Sequence, residues 1–150
     1  MTMWLNKTLI EGDHLAICFT EEEYNKELRR MKVPVSEWNS WQVDGALATT
    51  HYLVSKKGTR ATVVCIPIKD EPINEVASLL VHEAVHVVQE YFRHIGETNA
   101  GDEIQAYSIQ NVSFALLEAY CKRRFPKPKK EKFNGLDMGL GDLPERLHVQ

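Results

Sequence analysis

Residues 72–96, PINEVASLLVHEAVHVVQEYFRHIG, decide the fold that this sequence predicts. Asp70, Glu71 and Pro72 favour a helix start, and Gly96 is a typical C-terminal stop. We therefore predict a helix from about Pro72 to His94. At about 100° per residue, its polar side chains share a stripe about 80° wide, and the remaining residues are mostly Ile, Val, Leu and Ala. This polar stripe, which should form the floor of a cleft, consists of Glu75, Ser78, His82, His86, Gln89 and Arg93.

The stretch HEAVH, residues 82–86, lies on this helix and has the H-E-x-x-H pattern. Residues four apart share one face of a helix, so His82 and His86 can direct two imidazole nitrogens at one metal ion. Glu83 stands where a general base can act on metal-activated water. A zinc site for hydrolysis needs three protein ligands and an open position for water. A third ligand must therefore come from another element.

The next long helix, predicted from about Asp102 to Arg124, is expected to supply that ligand. The short loop before it should make the two helices antiparallel neighbours. Glu103, in the first turn, is the best candidate because carboxylates ligate zinc readily and this turn should lie near His86. Asp102 and Glu97 are alternatives. His94 lies on another side of the HEAVH helix and is not expected to reach the metal.

The other segments predict an α+β fold in which a small antiparallel β-sheet or hairpin packs on two long helices. Residues 14–19 are consistent with a short strand. Residues 20–31 open with TEEE, a capping-box pattern, and are predicted to form a helix. Residues 46–55 and 59–68 are rich in Thr, Val, Ile and Tyr and flank a glycine-containing loop, which indicates a β-hairpin.

Length and composition are typical of one folded domain. The 150 residues are 43% hydrophobic and 26% charged, which excludes wholesale disorder and allows one substantial core. The net charge of −3 favours neither a nucleic-acid nor a membrane partner. The three cysteines form no CxxC pair, so they indicate neither a disulfide framework nor a thiolate zinc site. Because the sequence shows no signal peptide and no membrane-spanning run, we expect a cytoplasmic protein.

The domain is predicted to occupy residues 1–125, followed by an irregular C-terminal tail at residues 126–150. Pro126 and Pro128 should end the second long helix, and the tail is rich in proline, lysine and glycine. Basic residues between Lys122 and Lys132 are interpreted as a solvated helix end and tail, and not as a nucleic-acid surface.

HEAVH, followed by Glu103 in the stretch GDEIQAYSIQ, resembles the gluzincin branch of zinc metallopeptidases, with the pattern H-E-x-x-H…E. In size the chain is similar to minimal single-domain members among bacterial and bacteriophage proteins. The resemblance covers about Thr59 to Tyr120, and its spacing to Glu103 differs slightly from the thermolysin-like pattern. It implies a zincin-like domain that binds zinc through His82, His86 and Glu103. It also implies a metalloendopeptidase that hydrolyses peptide bonds with zinc-activated water and Glu83 as general base.

Such an enzyme needs a donor that binds the carbonyl oxygen of its substrate. Tyr107 lies one turn after Glu103 on the same face and is the candidate donor, with a packed core tyrosine as its alternative role. His51 and Tyr52 on the hairpin are weaker candidates. The expected substrate is a peptide or protein, which one hairpin strand could bind by strand addition. One alternative function is a non-catalytic, zinc-stabilised binding module with the same ligands, and another is a metal-free helical binding protein in which HEAVH is incidental. The sequence does not determine the oligomeric state.

Overall fold

The computed structural model describes residues 3–4 and 14–127 and has the predicted α+β fold. Most of the predicted tail, residues 126–150, lies outside the described residues. In the described part of the chain, no helix combines the length and apolar character needed to cross a membrane. The elements in chain order are β1 (Met3–Trp4), β2 (His14–Cys18), α1 (Glu21–Arg30), a 3-10 turn (Val35–Glu37), β3 (Thr49–Val54), β4 (Arg60–Cys65), α2 (Ile73–Ile95) and α3 (Asp102–Arg124).

The described strands form one mixed sheet in the order β1-β2-β4-β3. β3 and β4 are the predicted antiparallel hairpin, in which Thr50 lies beside Val64. β2 runs parallel to β4, with Cys18 beside Cys65, so the expectation of an antiparallel sheet is wrong for this pair. A parallel pair needs a crossover connection, here through α1 and β3, and local sequence patterns do not reveal such a long-range pairing.

The helix boundaries follow local sequence signals. Thr20 caps α1, and its Oγ1 accepts a hydrogen bond from the Glu23 N–H at 3.2 Å. The Glu23 carboxylate in turn accepts a hydrogen bond from the Phe19 N–H at 2.9 Å, so the backbone N–H of the residue before Thr20 also has a partner. α2 ends at Gly96, whose φ of 74° lies in the left-handed region that glycine adopts without strain. The predicted boundaries of α2 and α3 are confirmed to within one residue.

Apolar side chains fill the space on both faces of the sheet. One cluster joins the sheet to α2 and α3 and includes Val64, Leu80 and Leu116. The second cluster, on the opposite face, lies beneath α1 and includes Tyr24 and Val63. β4 contributes to both clusters, and Val63 and Val64 are completely buried, as expected for a strand covered on both faces.

α2 and α3 form an antiparallel helical hairpin. The Tyr120 hydroxyl near the end of α3 accepts a hydrogen bond from the Lys69 N–H at 3.3 Å, just before α2 begins. Arg124 binds the Asp70 carboxylate at 2.8 Å. The start of α2 therefore lies beside the end of α3. All six residues of the predicted polar stripe of α2 are exposed, so the amphipathic pattern of this helix is confirmed.

Candidate functional site

A cleft of about 320 Å³ lies between α2 and β3, the edge strand of the sheet. The HEAVH residues form one wall, and β3 with the loop before it forms the other. Edge strands leave backbone N–H and C=O groups available for pairing with another chain. The cleft therefore combines potential metal ligands with a surface that can bind an extended backbone. Its lining residues are Val43, Ala46, Ala48, Thr49, Thr50, Tyr52, His82, Glu83 and His86.

His82 and His86 converge at the mouth of this cleft. Their Nε2 atoms are 3.0 Å apart, and their rings meet edge to face with centroids 4.7 Å apart. A contact between two imidazole nitrogens at this distance pairs one N–H with one free lone pair. Two nitrogens bound at about 2.0–2.1 Å to a tetrahedral zinc ion lie about 3.3 Å apart. The observed separation is therefore close to that of two ligands on one zinc ion, and both imidazoles fit such a site.

Glu83 lies on the inner side of the same cleft and is only 4% exposed. Its Oε2 accepts a hydrogen bond from the Thr50 hydroxyl at 2.5 Å. A buried carboxylate is costly unless it is hydrogen-bonded, so this contact stabilises the folded position of Glu83. The general-base candidate is thus buried, oriented and next to both histidines.

Tyr52 is the aromatic residue of β3 that lines the cleft. Its hydroxyl donates to the backbone oxygen of His86 at 3.2 Å. Burial raises the pKa of Tyr52 above its usual value, Glu90 adds to the rise and Arg93 opposes it. Tyr52 therefore keeps its proton at neutral pH, and that proton is donated to the His86 carbonyl.

Glu103 and Tyr107, predicted as third ligand and carbonyl donor, are exposed on α3 and do not line this cleft. At about 1.5 Å per residue, α2 continues about 13 Å beyond His86 before it ends at Ile95. Glu103 is the second residue of α3, which begins only after the turn that follows Ile95. Within the described ranges, no group of three or more His, Cys, Asp or Glu residues is arranged to hold a metal ion. The assignments of Glu103 and Tyr107 stay predictions.

The two alternative ligands lie in the same region as Glu103. Asp102 and Glu97 are both exposed. Glu97 accepts a hydrogen bond from the Asn99 N–H at 2.8 Å and lines a second hollow with Arg93 and Gln105 at the α2–α3 turn. Neither carboxylate lines the cleft with His82 and His86.

His51, an alternative carbonyl donor, points to the opposite face of the sheet. Its ring stacks on Tyr24 with centroids 4.5 Å apart, and its Nε2 donates to the Trp41 carbonyl at 3.0 Å. Burial lowers the pKa of His51, while the Trp41 contact and the charge of Glu83 act in the opposite direction. His51 therefore packs β3 against α1 and the preceding loop, whereas Tyr52 faces the cleft.

Sequence reasoning missed the role of Thr50. Side chains alternate between the faces of a strand, so Thr50 and Tyr52 share a face, and His51 lies on the other. This alternation was readable from residues 49–54. The pairing with Glu83, which is 33 residues further along the chain, depends on how α2 packs on the sheet.

Comparison with family models, curated proteins and solved structures found no match to this chain. The functional interpretation therefore depends on the geometry and chemistry of the cleft.

Proposed function

We propose that this chain is a zinc-dependent peptidase with a zincin-like arrangement of α2 and β3. The observation that carries the proposal is the convergence of the His82 and His86 Nε2 atoms, 3.0 Å apart, beside the buried Glu83 carboxylate. This donor set suits zinc, and the carboxylate suits general-base chemistry. The edge position of β3 supports a peptide as the substrate.

His82 and His86 would hold the zinc ion, with Glu103 as the proposed third ligand. Bound zinc would supply Lewis acidity and lower the pKa of water toward about 7. For Glu103 to reach the histidines, the start of α3 would have to move toward the cleft, because Glu103 is exposed and does not line the cleft that contains His82 and His86. Asp102 and Glu97 are the alternative ligands from the same turn.

Glu83 would accept a proton from the attacking water and deliver it to the leaving amine. Its burial and its bond to Thr50 keep the carboxylate in one orientation, which suits a group that must accept and return one proton. Tyr52 is proposed as the donor to the carbonyl oxygen of the substrate, because its phenol lines the cleft. It would have to exchange its present hydrogen bond to the His86 carbonyl for one to the substrate, since a phenol has a single proton to donate. Tyr107 stays a prediction for the same role.

The substrate would bind as an extended strand along the outer edge of β3. Among the described strands, β3 pairs with β4 alone, so its other edge offers backbone donors and acceptors. Backbone pairing of this kind tolerates many side chains. We therefore expect a peptidase whose substrates all bind in an extended conformation and need no common sequence.

The experiment compares wild-type protein with Glu83→Gln. The wild type should contain about one zinc per chain and cleave unfolded proteins or a mixture of peptides, and the variant should bind zinc equally well without cleavage. Glu90→Gln, on the same helix and outside the cleft lining, is the matched control and should cleave normally. Zinc bound by both proteins with no cleavage by the wild type would instead favour the non-catalytic zinc-stabilised module.

A further inference from the structure

β3 presents two different surfaces because its side chains alternate. Thr50 and Tyr52 face α2, where they contact Glu83 and His86. His51, between them, faces α1 and stacks on Tyr24. The backbone of the strand is fixed on its inner edge by pairing with β4. The strand that borders the proposed substrate path therefore also carries the side chain that contacts the proposed base.

The contact between Thr50 and Glu83 has a defined direction. An ionised carboxylate only accepts hydrogen bonds, so the Thr50 hydroxyl donates its proton to Glu83 Oε2 at 2.5 Å. Bonds to charged acceptors are short and strong, and Glu83 is 4% exposed, so water competes little for the same oxygen. One lone pair of Oε2 is thus engaged, and Oε1 is the oxygen to which Thr50 makes no bond.

We propose that Thr50 is a positioning residue for Glu83, and this inference rests on the proposed peptidase function. Its hydroxyl fixes the rotation of the carboxylate so that the same oxygen always faces the water. Because Thr50 belongs to β3, a peptide that pairs with the edge of this strand is aligned with the base by one rigid element. Thr49 stiffens this element further, since its Oγ1 accepts a hydrogen bond from the Val43 N–H at 3.1 Å.

The test is the steady-state kinetics of Thr50→Val in the zinc-loaded full chain. Valine keeps the shape of threonine and removes the hydroxyl, so kcat should fall about 10- to 100-fold, the range seen when supporting hydrogen bonds at metal sites are lost. KM and zinc content should stay at their wild-type values. Thr50→Ser restores the hydroxyl and should recover most of kcat. Thr62→Val, which removes a buried hydroxyl from β4, is the matched control and should leave kcat unchanged.

Equal kcat values for Thr50→Val and Thr62→Val would overturn the proposal, and so would a failure of Thr50→Ser to recover activity. A second measurement does not need catalysis. It compares the unfolding free energies of Thr50→Val, Glu83→Ala and the double variant. The two substitutions should be non-additive, because each removes one partner of the same bond. Additive effects would show that the contact does not hold Glu83.

These results separate the two proposals. Normal cleavage by the wild type with no effect of Thr50→Val overturns the role of Thr50 alone. A wild type that cleaves nothing overturns the peptidase function, and coupled unfolding free energies would then still assign Thr50 as the residue that orients Glu83.

Discussion

If zinc binds at the proposed site, replacing His82 with alanine should remove the stabilisation that zinc gives to the fold and leave the metal-free fold intact. His82 is exposed and lies outside both apolar clusters, so the metal-free unfolding free energy should change by less than about 0.5 kcal/mol. Zinc at a free concentration about 100 times its Kd stabilises a one-site protein by about 2.7 kcal/mol. For a chain of this size, about 1 kcal/mol shifts Tm by about 2–4 °C. The wild-type shift should therefore be about 5–11 °C.

The assay is thermal unfolding followed by circular dichroism, with chelator-treated protein measured in buffered zinc and without zinc. His82→Ala and His86→Ala should each lose most of the zinc-dependent shift, because the proposal places both Nε2 atoms on the same ion. His94→Ala is the control: His94 is exposed on the same helix, eight residues past His86, and its loss should leave the shift intact.

The same assay identifies the third ligand. If Glu103 binds zinc, Glu103→Gln should reduce the shift about as much as His82→Ala does, whereas Asp102→Asn and Glu97→Gln should not. A wild-type shift in His82→Ala, or an equal loss in His94→Ala, would refute the assignment of the zinc site to the HEAVH pair.

Two further predictions concern the fold that supports the site. Burial lowers the pKa of His51, so unfolding takes up a proton. The unfolding free energy should therefore fall as pH drops below about 6.5, by at most about 1.4 kcal/mol per pH unit. In denaturant titrations at several pH values, His51→Gln should flatten this slope, and an unchanged slope would contradict the prediction. Leu80→Ala should cost about 3–5 kcal/mol of unfolding free energy because Leu80 is completely buried, whereas Val81→Ala, 44% exposed, should cost less than about 0.5 kcal/mol.

Both long helices could be predicted from the sequence because their signals are local. Pro72 and Gly96 mark the ends of α2 independently of tertiary packing, and the polar stripe lies on the side that is exposed. The β3–β4 hairpin was predictable for a similar reason, since two strand-forming segments flank a short loop that contains Gly58. The residues that form the HEAVH side of the cleft were therefore readable from spacing alone.

The remaining features depend on three-dimensional distances that the spacing of residues in the sequence does not determine. The parallel pairing of β2 with β4 joins segments that three other elements separate, namely α1, the 3-10 turn and β3. The position of Glu103 depends on how far α2 extends beyond His86, and α2 continues for about two and a half turns past His86 before α3 can begin. Thr50 was missed because only the packing of α2 on the sheet brings its hydroxyl to Glu83.

The lining of the cleft comes from one continuous stretch of chain, from Val43 to His86. Within it, β3 and β4 are joined by a short loop and α2 follows directly, so the entropy lost in closing these loops is small. β2 must instead close a much longer loop to reach β4. Contacts of short sequence separation generally form sooner, so we expect the cleft to assemble before the sheet is complete. On this view the residues that line the cleft lie in one compact folding unit, and β2 and α3 stabilise that unit after it has formed.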